Sequence, residues 1–185
     1  DDMPQDNWLS RTFLLRIKDD EPELVWENQG LAVQLHNFTI WDGYLYAMDS
    51  SMLSGPDIPN DKATRRKRQT EYGQLQCLDL ETGEIIWHTN DYSDPELDMG
   101  NSWVEDADNA PTWLMVDGKI IIWNRAQIII GKVSPEGYER LSAFKIDERP
   151  GKSWTAMAFS NGRLFVRSGR TLYGIDLSEN KTEGE

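Results

Sequence analysis

Residues 77–91 read CLDLETGEIIWHTND, and this stretch decides the fold: an apolar strand ending in an aspartate, a tight turn, and a second apolar strand carrying a tryptophan. Gly83 supplies the backbone conformation that a β-branched residue resists in such a turn. Asp79 and Thr82 are spaced to hydrogen-bond backbone groups around it. Trp87 falls on the outer strand, where a flat ring packs well. These four residues are therefore read as architecture and not as a catalytic set.

Working outward, three further segments share one design. FTIWDGYLYAMD (residues 38–49), WLMVDGKIIIWN (residues 113–124) and MAFSNGRLFVRS (residues 157–168) each place Asp-Gly or Asn-Gly between two apolar runs. These dipeptides favour the type I′ turn, whose twist matches the flanking strands, so hairpins are predicted with turns at Asp42-Gly43, Asp117-Gly118 and Asn161-Gly162. A second strand pair follows each hairpin: clearly in residues 73–89, more loosely in residues 127–146, and only by its first half in residues 170–180. Residues 11–28 read as the last two strands of a preceding unit. The hairpin glycines Gly43, Gly118 and Gly162 lie 75 and 44 positions apart. An insertion at residues 50–72, with two prolines and a basic run, accounts for most of the longer interval and is read as an exposed loop.

A four-stranded unit of about 40–45 residues is the period of a β-propeller blade. The expected organisation is a single segment over residues 1–185: the end of a blade at 11–28, a blade at 33–89 containing the insertion, a blade at 111–146, and a partial blade at 154–178. No segment has helical periodicity. Eight tryptophans and 14 glycines suit an all-β protein. With 32 acidic against 19 basic residues, the net charge of −13 opposes phosphate backbones and anionic headgroups, which argues against nucleic acid as a partner. No apolar run approaches the roughly 18 residues of a membrane helix, so no membrane insertion is expected. The opening residues have no signal-peptide pattern. Cys77 is the only cysteine and, lying in a strand, is read as a packing thiol.

The pattern Asp79-x-x-Thr82-Gly83-x-x-x-Trp87 resembles the tryptophan-docking repeat of quinoprotein-type, or PQQ-like, β-propellers. Elsewhere the match is partial: DDEPELVW keeps the Asp and Trp26, SPEGYERL keeps the glycine as Gly137 but has no Trp, and GIDLSEN stops before the Thr-Gly. With the hairpins, the resemblance covers roughly residues 11–178. It implies an all-β propeller of four-stranded antiparallel blades, here a partial ring, in which Trp87 stacks against a peptide plane of the adjoining blade. Stretches such as LAVQLHNFTIWDGYLYAMD also resemble propellers of environmental bacteria described as PQQ-binding-like or polyvinyl-alcohol-dehydrogenase-like. The resemblance implies a periplasmic or secreted location, and PQQ and calcium as the family's cofactors.

The chemistry of a quinoprotein dehydrogenase, as the resemblance implies it, needs a catalytic Asp, a calcium set of Glu, Asn and Asp, an Arg near the quinone and commonly an adjacent cysteine pair. No such set assembles within this sequence, and no catalytic or metal-binding residue is assigned. No Gly-x-Ser-x-Gly elbow is present, and His36 and His88 have no recognisable nucleophile partner. His36, entering the first strand of a blade, approaches the central channel and is a candidate ligand contact. The acidic segment 90–110 lacks EF-hand spacing and reads as a solvated loop. Arg65 and Arg66, within KATRRKRQ, form a candidate docking patch for an acidic partner, with an exposed loop or protease site as the alternatives. Trp41, Trp103, Trp113, Trp123 and Trp154 are candidates for a surface stacking platform for a sugar or peptide, with packing between sheets as the alternative. Trp103, expected to be exposed, and Trp154, expected to face the channel mouth, are the candidate ligand contacts among them.

The expected function is a non-catalytic PQQ-like propeller module, a scaffold or binding platform for a protein or polymer ligand on its loop face. The alternative is part of a PQQ-dependent alcohol or polyvinyl-alcohol dehydrogenase-like enzyme whose quinone site is completed by blades outside the chain. Association through exposed edge strands is a further expectation.

Overall fold

In the computed structural model, which describes residues 12–28, 31, 33, 37–48, 75–89, 112–124, 127–146 and 155–178, the apolar runs all become β-strands, and the described residues contain no helix. The first sheet pairs β1 (Thr12–Lys18) with β2 (Glu21–Asn28). The second contains β3 (Thr39–Trp41), β4 (Tyr44–Met48), β5 (Leu75–Asp79) and β6 (Ile85–Thr89), adjacent in that order. The third is β7 (Thr112–Val116), β8 (Lys119–Asn124), β9 (Gln127–Ser134) and β10 (Gly137–Lys145), again in sequence order. The fourth is β11 (Ala158–Ser160), β12 (Arg163–Ser168) and β13 (Thr171–Asp176). All pairings are antiparallel. The fold is thus all-β, with two four-stranded sheets flanked among the described residues by sheets of two and three strands.

The turns follow from local chemistry. Asp42 and Gly43, Asp117 and Gly118, and Asn161 and Gly162 all have positive φ, as a type I′ hairpin requires. Each hairpin glycine is then tied to the third strand of its own sheet. The carbonyls of Gly43, Gly118 and Gly162 accept hydrogen bonds from the N–H groups of Leu80, Val133 and Leu177 at 3.2, 3.4 and 2.7 Å. Three copies of one bond at one structural position mark these sheets as repeats.

The core lies between the sheets. In β4 and β8 the continuous apolar runs at residues 45–48 and 120–123 are buried on both faces, as expected of inner strands covered from two sides. Alternate residues face opposite neighbours. Leu45, Ala47 and Leu78 meet Trp26 and Leu14 of the first sheet. Tyr46, Met48, Leu75 and Cys77 meet Ile120, Ile122, Ile129 and Val133 of the third. On its other side, Ile121, Trp123 and Ile128 meet Leu164 and Val166 of the fourth. In β12 only every second residue is buried, because among the described residues a neighbouring sheet covers only one face of that sheet.

The sheets stack with like ends together. Trp41, before the first Asp-Gly turn, lies over the second, so that a β-carbon at Gly118 would stand 3.6 Å from its indole nitrogen. At the opposite end Trp123 donates its indole N–H to the carbonyl of Arg167, at 3.2 Å. One end of the stack therefore gathers the first-to-second and third-to-fourth strand turns, and the other gathers the second-to-third connections.

Candidate functional site

The turn at residues 79–84 is built by its aspartate. Both the Glu81 and Thr82 N–H groups donate to Oδ1 of Asp79, at 2.9 and 2.8 Å, and the Gly83 N–H returns to the Asp79 carbonyl at 2.9 Å. The Thr82 hydroxyl accepts the Glu84 N–H at 3.3 Å. Bonds from Thr82, and then from Glu81, hold the Asp79 carboxyl below its ordinary range, because they favour the charged form. A similar cap recurs in the fourth sheet, where the hydroxyl and N–H of Ser178 both bond Asp176 and lower its pKa likewise. In the third sheet Ser134 Oγ accepts the Glu136 N–H instead, in a two-residue hairpin.

What this turn receives is the tryptophan of the preceding sheet. Trp26, on β2, donates its indole N–H to the Leu80 carbonyl at 2.9 Å, and its ring covers Gly83. Asn28 adds a bond from its side-chain amide to the Gly83 carbonyl at 2.7 Å. Trp87, on β6, donates in turn to the Ser134 carbonyl of the third sheet at 2.8 Å, with its ring tilted against Tyr46. Gly83 has a φ of +73° and cannot be replaced without meeting the Trp26 ring.

The third sheet carries no tryptophan on β10. Its link to the fourth is Trp123, which sits on the inner strand β8 and docks at the opposite end of the stack. The sequence offers Trp123 as a candidate for a surface stacking platform, but the ring is only 3% exposed and packs between sheets; Asn28 is not among the candidates the sequence offers. The signal for Trp123 was its place at the close of a continuous apolar strand, KIIIW, where a ring must pack between sheets. Trp113 is half-buried against the second sheet, Trp41 is 44% exposed, and His88 is exposed beside Trp87.

The end of the stack opposite the tight turns has its own character. Thr12, Gln76, Thr112, Gln127 and Ser168 are the buried polar residues among those described, and each lies at or next to the strand terminus on that side. Thr12 donates its hydroxyl to the Leu31 carbonyl at 3.0 Å. Both amide atoms of Gln127, and Oγ1 of Thr112, have no hydrogen-bond partner. Buried polar groups are nearly always paired, so this end holds unused hydrogen-bonding capacity. From it leave the connections between Met48 and Leu75 and between Thr89 and Thr112. His36, Arg65, Arg66, Trp103 and Trp154 lie outside the described residues.

Comparison with protein-family models and with curated proteins finds no match. Similarity to known proteins therefore assigns this chain neither a family nor an activity.

Among the described residues, no group of three His, Cys, Asp or Glu side chains stands close enough to hold a metal ion. The lone Cys77 is buried against the third sheet, where burial raises its thiol pKa from 9.0 to about 11. With Cys77 as its one cysteine, the chain cannot by itself supply the adjacent cysteine pair that commonly contacts the quinone in the family it resembles. No helix among the described residues is long and apolar enough to cross a membrane.

Proposed function

We propose that the chain is a run of blades of a PQQ-like β-propeller that serves as a non-catalytic platform, taking a protein or polymer ligand at the end of the sheets from which the long connections leave. One observation carries this reading: the two ends of the stack are differently used. At one end every connection is short, at 19–20, 42–43, 80–84, 117–118, 135–136 and 161–162, and the turn at 80–84 is occupied by the docking tryptophan of the preceding sheet. The other end concentrates the buried polar side chains and joins the strands through residues 49–74 and 90–111, which contain the basic run with Arg65 and Arg66 and the acidic segment. Rigid sheets presenting variable loops at one end is the usual arrangement of a binding scaffold. The proposal carries with it the exported location, periplasmic or secreted, that the resemblance implies.

The test is a binding screen of the whole chain against soluble polymers, including polyvinyl alcohol and polysaccharides, and against peptide arrays. Any ligand found is then measured with two variants, one with residues 50–72 replaced by a short Gly-Ser linker and one with the acidic residues of 90–110 neutralised. Loss of affinity with an unchanged melting temperature supports the assignment. Affinity unaffected by both changes removes the ligand from this end. Calorimetric uptake of PQQ with calcium by the chain would replace the reading with the oxidoreductase one.

A further inference from the structure

We propose that the two outer faces of the sheet stack bind each other between copies of this chain, head to tail. This rests on the fold alone and stands whatever ligand the loop end takes. The first sheet uses one face, Leu14 and Trp26, to cover the second sheet. Its other face carries Phe13, Leu15, Ile17 and Leu24, which are 52%, 53%, 68% and 58% exposed. Register makes them one patch: Leu15 lies opposite Leu24, Ile17 opposite Pro22 and Phe13 opposite Glu27. In the second sheet the equivalent face, Leu45, Ala47 and Leu78, is buried by its neighbour. The patch thus continues an interface that the chain already repeats three times within itself.

The fourth sheet supplies the complement. Leu164 and Val166 pack inward, while Phe165 and Leu172 stand on the outer face, Leu172 being 70% exposed. Around them on that face lie Arg163, Arg167 and Asp176, by the pairing of Arg163 with Asp176 and of Arg167 with Leu172. Charge then decides which faces meet. Residues 12–28 contain five acidic side chains against two basic, whereas residues 155–178 contain three arginines against one aspartate, in a chain of net charge −13. Two copies of the acidic hairpin repel each other, and the acidic hairpin attracts the arginine-bearing sheet. An interface of this kind is heterologous, so it grows into a closed ring or an open chain and does not stop at a two-fold dimer.

Sedimentation velocity of the whole chain over a range of concentrations tests the proposal, with Ile17→Asp and Leu172→Asp as variants. Both side chains are exposed, and unchanged circular dichroism and melting confirm that each variant folds. The unmodified chain is expected to associate beyond the monomer, and either substitution to weaken self-association by about tenfold or more. Mixing the two variants should produce a heterodimer that grows no further, since the mixture contains one intact face of each kind. A monomeric unmodified chain overturns the proposal. So does a mixture that fails to pair, and so does undiminished self-association of Leu172→Asp, which would show that like faces meet.

Discussion

The ring of Trp26 lies so close over Gly83 that a β-carbon on that glycine would come within 2.4 Å of the indole atom Cδ2. Gly83 is thus required twice, once by its own φ of +73° and once by a side chain 57 positions earlier in the chain. The relationship also changes what the Asp-x-x-Thr-Gly-x-x-x-Trp run means. Asp79, Thr82 and Gly83 form the socket for the preceding sheet's tryptophan, and Trp87 enters the following sheet. One short stretch of sequence therefore ties three sheets together.

Gly83→Ala should destabilise the chain more than Gly43→Ala. Both glycines have positive φ, which costs an alanine about 1–2 kcal/mol. Nothing lies within 4 Å of a β-carbon at Gly43, whereas at Gly83 the overlap with Trp26 adds about 1–3 kcal/mol. Urea unfolding of both variants measures the difference. Combining Gly83→Ala with Trp26→Ala should recover the added part, and a strictly additive double mutant would show that the ring does not press on the turn.

Trp26→Phe and Trp87→Phe should each lower stability by about 1 kcal/mol through the lost indole bond, plus the packing lost with the smaller ring. Their effects should separate in space. Hydrogen exchange should quicken in residues 79–84 for Trp26→Phe and in residues 133–137 for Trp87→Phe, because the acceptors are the Leu80 and Ser134 carbonyls. Equal exchange changes in both turns from either substitution would refute this pairing.

Acid should loosen the same turns. The carboxyls of Asp79 and Asp176 are both held below the ordinary range, by Thr82 and Ser178 respectively. A carboxyl with a depressed folded pKa contributes stability that is present above its unfolded value, about 3.9, and is lost as pH falls through the folded value. Asp79→Asn, which keeps an acceptor oxygen for Glu81 and Thr82, should flatten the acid limb of the stability profile. Asp79→Ala should lower the melting temperature at neutral pH as well. Melting curves between about pH 2 and pH 7 compare the three proteins across that window.

Much of this fold was legible because its signals are local. Asp42-Gly43, Asp117-Gly118 and Asn161-Gly162 fix their turns by their own backbone preferences. The contrast between the continuous apolar run at residues 120–123 and the alternating RLFVRS also carries information about layers: the first run is buried on both faces and the second strand on one. What sequence could not supply was partnership between distant residues. Nothing near Trp26 names Gly83, and nothing in β8 announces that Trp123 replaces the absent tryptophan of β10. The buried Gln76 and Gln127 look, in sequence, like ordinary polar residues of a strand. Their burial comes only from the neighbouring sheet.

Cys77 provides a test of how firmly the second and third sheets are joined. Its thiol packs with Tyr46, Ile120 and Ile129 between them, and desolvation raises its pKa from 9.0 to about 11. At pH 8 the folded protein therefore holds only about 0.1% of this thiol as thiolate, the form that alkylating reagents attack. A folded pKa above the unfolded one contributes stability that is fully present below pH 9 and is lost as pH rises through about 11. Alkylation by iodoacetamide at pH 8 should accordingly be slow, and urea that separates the sheets should accelerate it with the same midpoint as the loss of tryptophan fluorescence. Cys77→Ala should abolish labelling and reduce the loss of stability between pH 9 and pH 11. Rapid alkylation of the folded chain, at the rate of a free thiol, would mean that the second and third sheets separate readily in solution, and the docking of Trp87 on Ser134 would then be too weak to hold them.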